Sequence, residues 1–222
     1  MSAPVVVLHR DADVVVVDKP AGVLTHRSEL AGDDDVMMTR VRDAIGAWVW
    51  PVHRLDRQTS GVLVFALSEA SANELATAFA AGTIDKTYLA IVRGSFPEAA
   101  DVDHPIPKRE DGPKVAAQTS FRRIEIGALH GHEGATWSLV EARPKTGRFH
   151  QVRRHVAHLR HPIACDSNYG TGWFNRAVRA LGMSRLALHA AALTLPTSAG
   201  VLTVRAPLQA DLTTTLDRLR ST

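Results

Sequence analysis

The residues from Pro51 to Leu67, PVHRLDRQTSGVLVFAL, constrain this chain most, because a loop crowded with charge runs there directly into an apolar strand. The apolar run ending at Leu67 reads as a strand. The loop before it places one carboxylate, Asp56, among His53, Arg54 and Arg57. Nearby positive charge favours the anion, so Asp56 is expected to stay ionised. Two roles fit such a group, a nucleophile or a buried structural ion-pair partner, and the residues alone leave both open.

With 222 residues and 45% hydrophobic content the chain can bury a proper core, and no repeat, low-complexity segment or linker interrupts it. A single compact α/β domain over residues 1–222 is the expectation. The lone cysteine, Cys165, excludes an internal disulfide framework and a four-cysteine metal site, and suits a reducing cytoplasm. The apolar run from Val5 to Leu8 is too short for a signal peptide or a membrane span.

Net charge is only +3, but the basic residues are unevenly placed. Arg148, Arg153, Arg154 and Arg160, with His150, His155, His158 and His161, crowd one segment, while Asp33, Asp34 and Asp35 gather elsewhere. A local basic patch points to a polyanion, most simply nucleic acid; a solvated helix face is the plainer alternative. Neither cluster reads as a metal site. Adjacent aspartates cannot converge on one ion without special loop geometry, and the histidines drift around the helix.

In chain order, Val5 to Leu8 and Val14 to Asp18 read as strands joined by a tight turn, and Lys19-Pro20-Ala21-Gly22 forces an extended exit and a second turn. Asp34 or Asp35 is expected to cap a helix from Val36 to Ile45 that stops at Gly46, with Trp48 to Val52 as a strand. Ser68 caps a helix through Ala80 that turns Leu75, Ala76 and Phe79 inward and ends at Gly82. Lys86 to Gly94 reads as a strand carrying Lys86, Tyr88 and Ala90 on one face, where Lys and Tyr could meet a nucleotide or Tyr88 could pack in the core. Prolines make residues 95–114 an irregular excursion. Strands resume at Val115 to Ile126 and Ala135 to Arg143, around a loop holding His130 and His132.

Pro144 to Arg148 forms a turn opening a basic helix from Phe149 to Arg160. Its helical projection sets Arg153 at the rim of the apolar arc, able to turn its guanidinium fork inward to a carboxylate, while Arg154 and His158 point away toward solvent or phosphate. A short helix from Ala177 to Leu181, a hairpin from Arg185 to Arg205 and a helix from Asp211 to Leu219 complete the chain.

HRLDRQTSG at His53 to Gly61, KTYLAIVRG at Lys86 to Gly94, PKTGRFHQVRRH at Pro144 to His155, HPIACDSNYG at His161 to Gly170 and LALHAAALTL at Leu186 to Leu195 resemble, in order, the signature blocks of the RluA-type pseudouridine synthases. The resemblance spans nearly the whole chain and is strongest to the tRNA-acting branch, whose target is a uridine at the junction of the T-stem and acceptor stem. It implies an α+β fold, a mixed, mostly antiparallel sheet split by a central catalytic cleft with flanking helices. No metal or organic cofactor and no separate N-terminal RNA-binding module are implied. A monomer acting on tRNA in the cytoplasm is expected, with large-subunit rRNA as the alternative substrate. Asp56 becomes the catalytic carboxylate, Tyr88 the base-stacking partner, Arg153 the salt-bridge partner of Asp56 and Arg54 the side chain that enters the RNA stack. Arg57, Lys86, Arg148, His150 and Arg154 complete the expected RNA contacts. Cys165 replaces a usual Gly, and Asn168-Tyr169 stands where the tRNA-acting branch carries Lys-His.

Detaching uracil from C1′ and rejoining it through C5 requires one group to stabilise or trap the ribose. Asp56 could attack C1′ or C6, or remove a ribose proton to assist glycal formation. Glycosidase-like hydrolysis ordinarily needs two carboxylates, and only Asp56 has a convincing setting. A noncatalytic RNA-binding or RNA-folding protein would need no Asp56.

Overall fold

The computed structural model describes residues 4–26, 35–107, 112–129, 131–198 and 200–221. The chain forms two compact units, one from residues 1–86 and 190–207, the other from residues 87–189 and 208–222.

In the first unit, β1 (Val6–Arg10) pairs antiparallel with β2 (Val14–Lys19), and β2 with β4 (Ser60–Ala66). The short β3 (Trp50–Pro51) also lies on β4. The part of β11 (Leu188–Thr197) that belongs to this unit follows β4 in the sheet and carries β12 (Gly200–Arg205). The strand read up to Leu67 ends one residue earlier, at Ala66, and every residue of β4 is buried. Val14, Val16, Val62, Val64, Leu193 and Leu195 form its core with Leu75 and Ile84. Gly61 is obligatory here: it sits at φ +110°, and a Cβ would lie 2.1 Å from the Ala190 carbonyl oxygen.

Two helices complete this unit. α1 (Met37–Ile45) stops, as expected, at Gly46 in the left-handed region. Its N-cap is Val36 with no side-chain cap, and the Met37 and Met38 amides donate instead to the carbonyls of Leu24 and Thr25. Backbone from the preceding segment therefore satisfies the helix start, and Asp35 pairs with Arg40 rather than capping. Asp33 and Asp34 lie outside the described residues. α2 (Glu69–Ala81) is capped by Ser68, whose hydroxyl accepts the Ser71 amide at 3.1 Å, and ends at Gly82. Leu75 and Phe79 turn inward as expected, with Ala72 and Ala78, but Ala76 is exposed, one step beyond the buried arc. Trp48 lies outside β3, exposed, with the Arg42 guanidinium 3.6 Å from its ring centre.

The second unit is built on β5 (Asp85–Arg93), whose residues from 87 onward belong to it, with β9 (Gln118–Ala128) and β10 (Thr136–Pro144). β10 pairs antiparallel with both neighbours. The proline-rich excursion is more regular than its composition suggests. β6 (Ala99–Asp103) pairs with β9, and β7 (Ile106–Pro107) pairs with β8 (Lys114–Val115). Pro97 and Pro105 flank β6, where no ladder donor is lost, and Pro107 ends β7. α3 (Gln151–His158) is shorter than the basic segment, because His150 occupies the left-handed region at φ 52°. α4 (Gly172–Ala180) begins five residues earlier than its apolar spacing indicated, with Phe174 and Val178 buried, and α5 (Ala210–Arg220) closes the unit. Ile91, Phe96, Trp137, Val140, Val156, Phe174 and Met183 are among its core. The fold is α+β with a mainly antiparallel sheet, as expected from the sequence. Among the described residues no helix is long and apolar enough to cross a membrane.

Candidate active site

The chain around Asp56 is tied down mainly through peptide groups of the first unit. Lys19, fully buried at the end of β2, donates from Nζ to the carbonyls of Pro20, Val23 and Arg57 at 2.9, 2.7 and 3.2 Å. The Gly22 amide donates to the same Arg57 carbonyl at 2.8 Å, and Arg57 Nε returns a bond to the Gly22 carbonyl at 2.9 Å. Thr25 Oγ1 bonds both the amide and the carbonyl of Leu55 at 3.2 Å. The Asp56 carbonyl accepts the Thr59 amide at 3.0 Å, which closes the turn into β4.

His53 does not add to the positive charge of this loop. Its ring stacks on Phe79, and Nε2 accepts the Val64 amide at 3.0 Å, a bond that needs an unprotonated nitrogen. Burial and then the Lys86 charge push its pKa down to about 3. The cations of the loop are therefore Arg54 and Arg57, both exposed. Lys86 is buried, and the Arg54 charge, after burial, lowers the pKa of His26.

In the second unit, Arg153 reaches inward from α3 with its guanidinium fork, as the projection anticipated, and is buried. Nε donates to Asp166 Oδ2 and Nη2 to Oδ1, each at 2.8 Å. Nη2 also reaches Asn168 Oδ1 at 3.1 Å. Asp166 has no exposed side-chain surface. Burial raises its pKa, but the bonds and charge of Arg153, then the amides of Asn168 and Tyr169, outweigh that and hold it below the usual carboxylate range. Arg154 does not simply point away: its Nε meets the Tyr169 hydroxyl at 2.8 Å, which also lies 3.2 Å from His150 Nδ1. An aromatic hydroxyl at position 169 draws both basic groups onto one ring edge.

Gln151 fixes the turn before α3. Its Oε1 accepts Thr146 Oγ1 and the Arg148 amide, and its Nε2 donates to the Gln118 carbonyl and Thr119 Oγ1. Arg148 Nε donates to the Ala116 carbonyl at 3.2 Å. His155 is fully buried between Thr119 and the His104 carbonyl, and so is structural rather than part of a phosphate-facing patch. His158 stacks on His104 at 4.0 Å. Among the described residues no cluster of three or more His, Cys, Asp or Glu is arranged to hold a metal.

The expected site residues thus divide, with Arg54, Asp56, Arg57 and Lys86 in one unit and Tyr88, Arg148, His150, Arg153 and Arg154 in the other. Tyr88 is half-buried on β5. Thr25, Gln151 and Asp166 went unassigned from the sequence, and Lys19, which the sequence leaves either near the site or facing water, is fully buried against the loop. A signal existed for Asp166, which is the only carboxylate between Glu141 and Asp211, a stretch rich in arginine. For Thr25 no signal existed, because its contact with Leu55 is made across thirty positions.

An α+β fold whose strand-entry loop presents a clamped aspartate fits an RNA-modifying isomerase, and residues 13–158 match the RNA pseudouridylate synthase family. The chain belongs to that family, whose members isomerise uridine to pseudouridine. It is 43% identical to the tRNA pseudouridine synthase C of Vibrio cholerae over 203 residues, 84% of this chain and 83% of the relative. To that of Salmonella typhimurium it is 44% identical over 205 residues, 85% and 79% of the two chains. Among solved structures, Human RNA Pseudouridylate Synthase Domain Containing 4 superposes with a TM-score of 0.77 at 27% identity, covering 97% of this chain and 93% of that one. Human RNA Pseudouridylate Synthase Domain Containing 1 gives 0.76 at 26%, covering 100% and 98%.

Proposed function

We propose that the chain converts a uridine of tRNA to pseudouridine, at the junction of the T-stem and acceptor stem, with Asp56 as the catalytic carboxylate. The observation that carries the substrate is the identity to relatives named tRNA pseudouridine synthase C over most of both lengths. In the reaction the C1′–N1 bond breaks, the uracil turns, C5 bonds to C1′, and the proton lost from C5 is balanced by one gained at N1. Nothing is oxidised or reduced. Asp56 traps or stabilises the ribose while the base is detached, by attack at C1′ or C6 or by removing a ribose proton.

Arg153 serves as the cationic residue of the reaction, and Tyr88 stacks on the loose base. Flipping a uridine out of a stem costs a few kcal/mol. Arg54 entering the stack and phosphate contacts from Arg57, Arg148, His150 and Arg154 offset that cost, whereas Lys86, expected among the RNA contacts, is buried and is not counted with them. The exposure of Arg54 and Arg57 beside the clamped loop supports these roles. A monomer working in the cytoplasm, in keeping with the single buried Cys165, completes the reading.

Carbodiimide mapping of pseudouridine in tRNA and rRNA, with and without the gene, tests the substrate. One signal at the T-stem and acceptor-stem junction is expected to disappear. Loss confined to large-subunit rRNA would move the substrate to that RNA and leave the chemistry in place. The replacement of Lys-His by Asn168-Tyr169 makes this the outcome to watch for.

A further inference from the structure

We propose that Asp166 is a positioning residue of the isomerisation: it holds the Arg153 guanidinium in one orientation. This rests on the reading of Arg153 as a site residue of the proposed reaction. Four bonds converge on the Asp166 carboxylate, two from Arg153 at 2.8 Å and the amides of Asn168 and Tyr169 at 2.9 and 3.1 Å. The turn behind it is itself locked. Asn175 Nδ2 donates to the Asp166 carbonyl at 3.0 Å, and Asn175 Oδ1 accepts the Cys165 amide at 2.7 Å. A Cβ on Gly170 would meet the Asp166 carbonyl oxygen at 2.2 Å, so the chain folds back there as only glycine permits.

Stability alone accounts poorly for this pair. A buried fork is often replaceable by apolar residues without loss, because desolvation of both ions cancels much of their attraction. The same unit contains a second fork for comparison, in which Arg185 Nε and Nη2 bond the Asp211 oxygens at 2.7 and 2.8 Å. Arg185 gives its Nη1 to the carbonyls of Leu186 and Leu188, and Asp211 sits in the first turn of α5, where a carboxylate complements the helix dipole. That fork is committed to main chain and helix. Asp166 lies in no helix; two of its bonds hold the turn through the Asn168 and Tyr169 amides, and the other two fix the direction of one side chain, Arg153. A bidentate bond leaves a planar guanidinium almost no rotational freedom, which an unsupported arginine would have to lose on each turnover.

The test measures single-turnover rates and RNA dissociation constants on a tRNA transcript for wild type, Asp166→Asn, Arg153→Lys, the double variant and Asp211→Asn. Asp166→Asn is expected to slow the rate about a hundredfold with RNA affinity within about threefold. The double variant is expected to be no slower than Arg153→Lys, since Asp166 acts only through the fork. Asp211→Asn is expected to lower the melting temperature and keep the rate within about threefold. A folded Asp166→Asn protein with wild-type rate, or a double variant whose losses multiply, overturns the proposal. If Asp166→Asn does not fold, Asn168→Ala carries the test, because its exposed side chain also bonds Arg153. Its rate is expected to fall about fivefold at unchanged melting temperature, and an unchanged rate overturns the proposal. Full activity of Arg153→Lys together with Arg153→Ala would instead remove the underlying role of Arg153, a distinguishable failure.

Discussion

In the first unit the segment around Asp56 is fastened by main chain, with Lys19, Gly22 and Thr25 bonding peptide groups on both sides of the aspartate. In the second, Arg153 is fastened by a neighbouring charge, the Asp166 carboxylate. The difference separates two kinds of vulnerability. Peptide-held geometry tolerates exchange of the reactive side chain but not of the clamps, whereas charge-held geometry is lost when either ion is removed.

The sharpest separation comes from the reactive groups themselves. Asp56→Asn is expected to abolish pseudouridine formation, by more than about a thousandfold in a single-turnover assay, while RNA binding changes only a few fold and the melting temperature stays near wild type. Arg153→Ala is expected to slow turnover severely with the fold intact, and also to destabilise, because it leaves Asp166 buried and unpaired. Equal stability losses in the two variants, read by urea denaturation, would erase the contrast.

The clamps invert the pattern. Lys19→Met deprives at least three carbonyls of a charged donor and is expected to cost about 3 kcal/mol of unfolding free energy, read from the denaturation midpoint. His53 gives a pH signature of the same unit. Its folded-state pKa, near 3, lies below the unfolded value of 6.5, so the unfolded chain binds the extra proton in between. Its stabilising contribution is complete above pH 6.5 and declines as pH falls toward 3. Melting temperatures across that window are expected to drop in wild type and to drop less in His53→Gln. The smallest effect is expected at the surface: Arg148→Ala weakens RNA binding and lowers the salt slope by about 1 with little change in rate once RNA saturates.

The strands outside the proline-rich excursion, the α2 caps and the inward turn of Arg153 were legible in the sequence, because each depends on local spacing or on a residue with narrow backbone preference; β6, β7 and β8 were not, because the prolines around them read as breaks. Ser68 and Gly82 bound α2 where read. The start of α1 was not legible, since carbonyls of Leu24 and Thr25 do the work assigned to Asp34 or Asp35. Nor was the neutrality of His53, which depends on a bond to Val64 made only once β4 has formed. Arg154 was misread for a similar reason: a helical projection shows direction from the axis but not that Tyr169 waits there. The clamps on Asp56 and the fork on Arg153 depend on partners far along the chain, whereas the residues they hold stand in readable motifs.

The first unit is discontinuous in sequence, and this bears on its birth at the ribosome. β4 gains one sheet neighbour, and Gly61 the carbonyl it is shaped to accept, only from residues 190 onward. A nascent chain emerging at about 5–20 residues per second exposes the Asp56 segment many seconds before that strand exists. The strand that follows the reactive loop therefore completes its sheet late, only after residue 190 has been made, whereas Lys19, Gly22 and Thr25, which fasten the Asp56 segment, precede it in the chain.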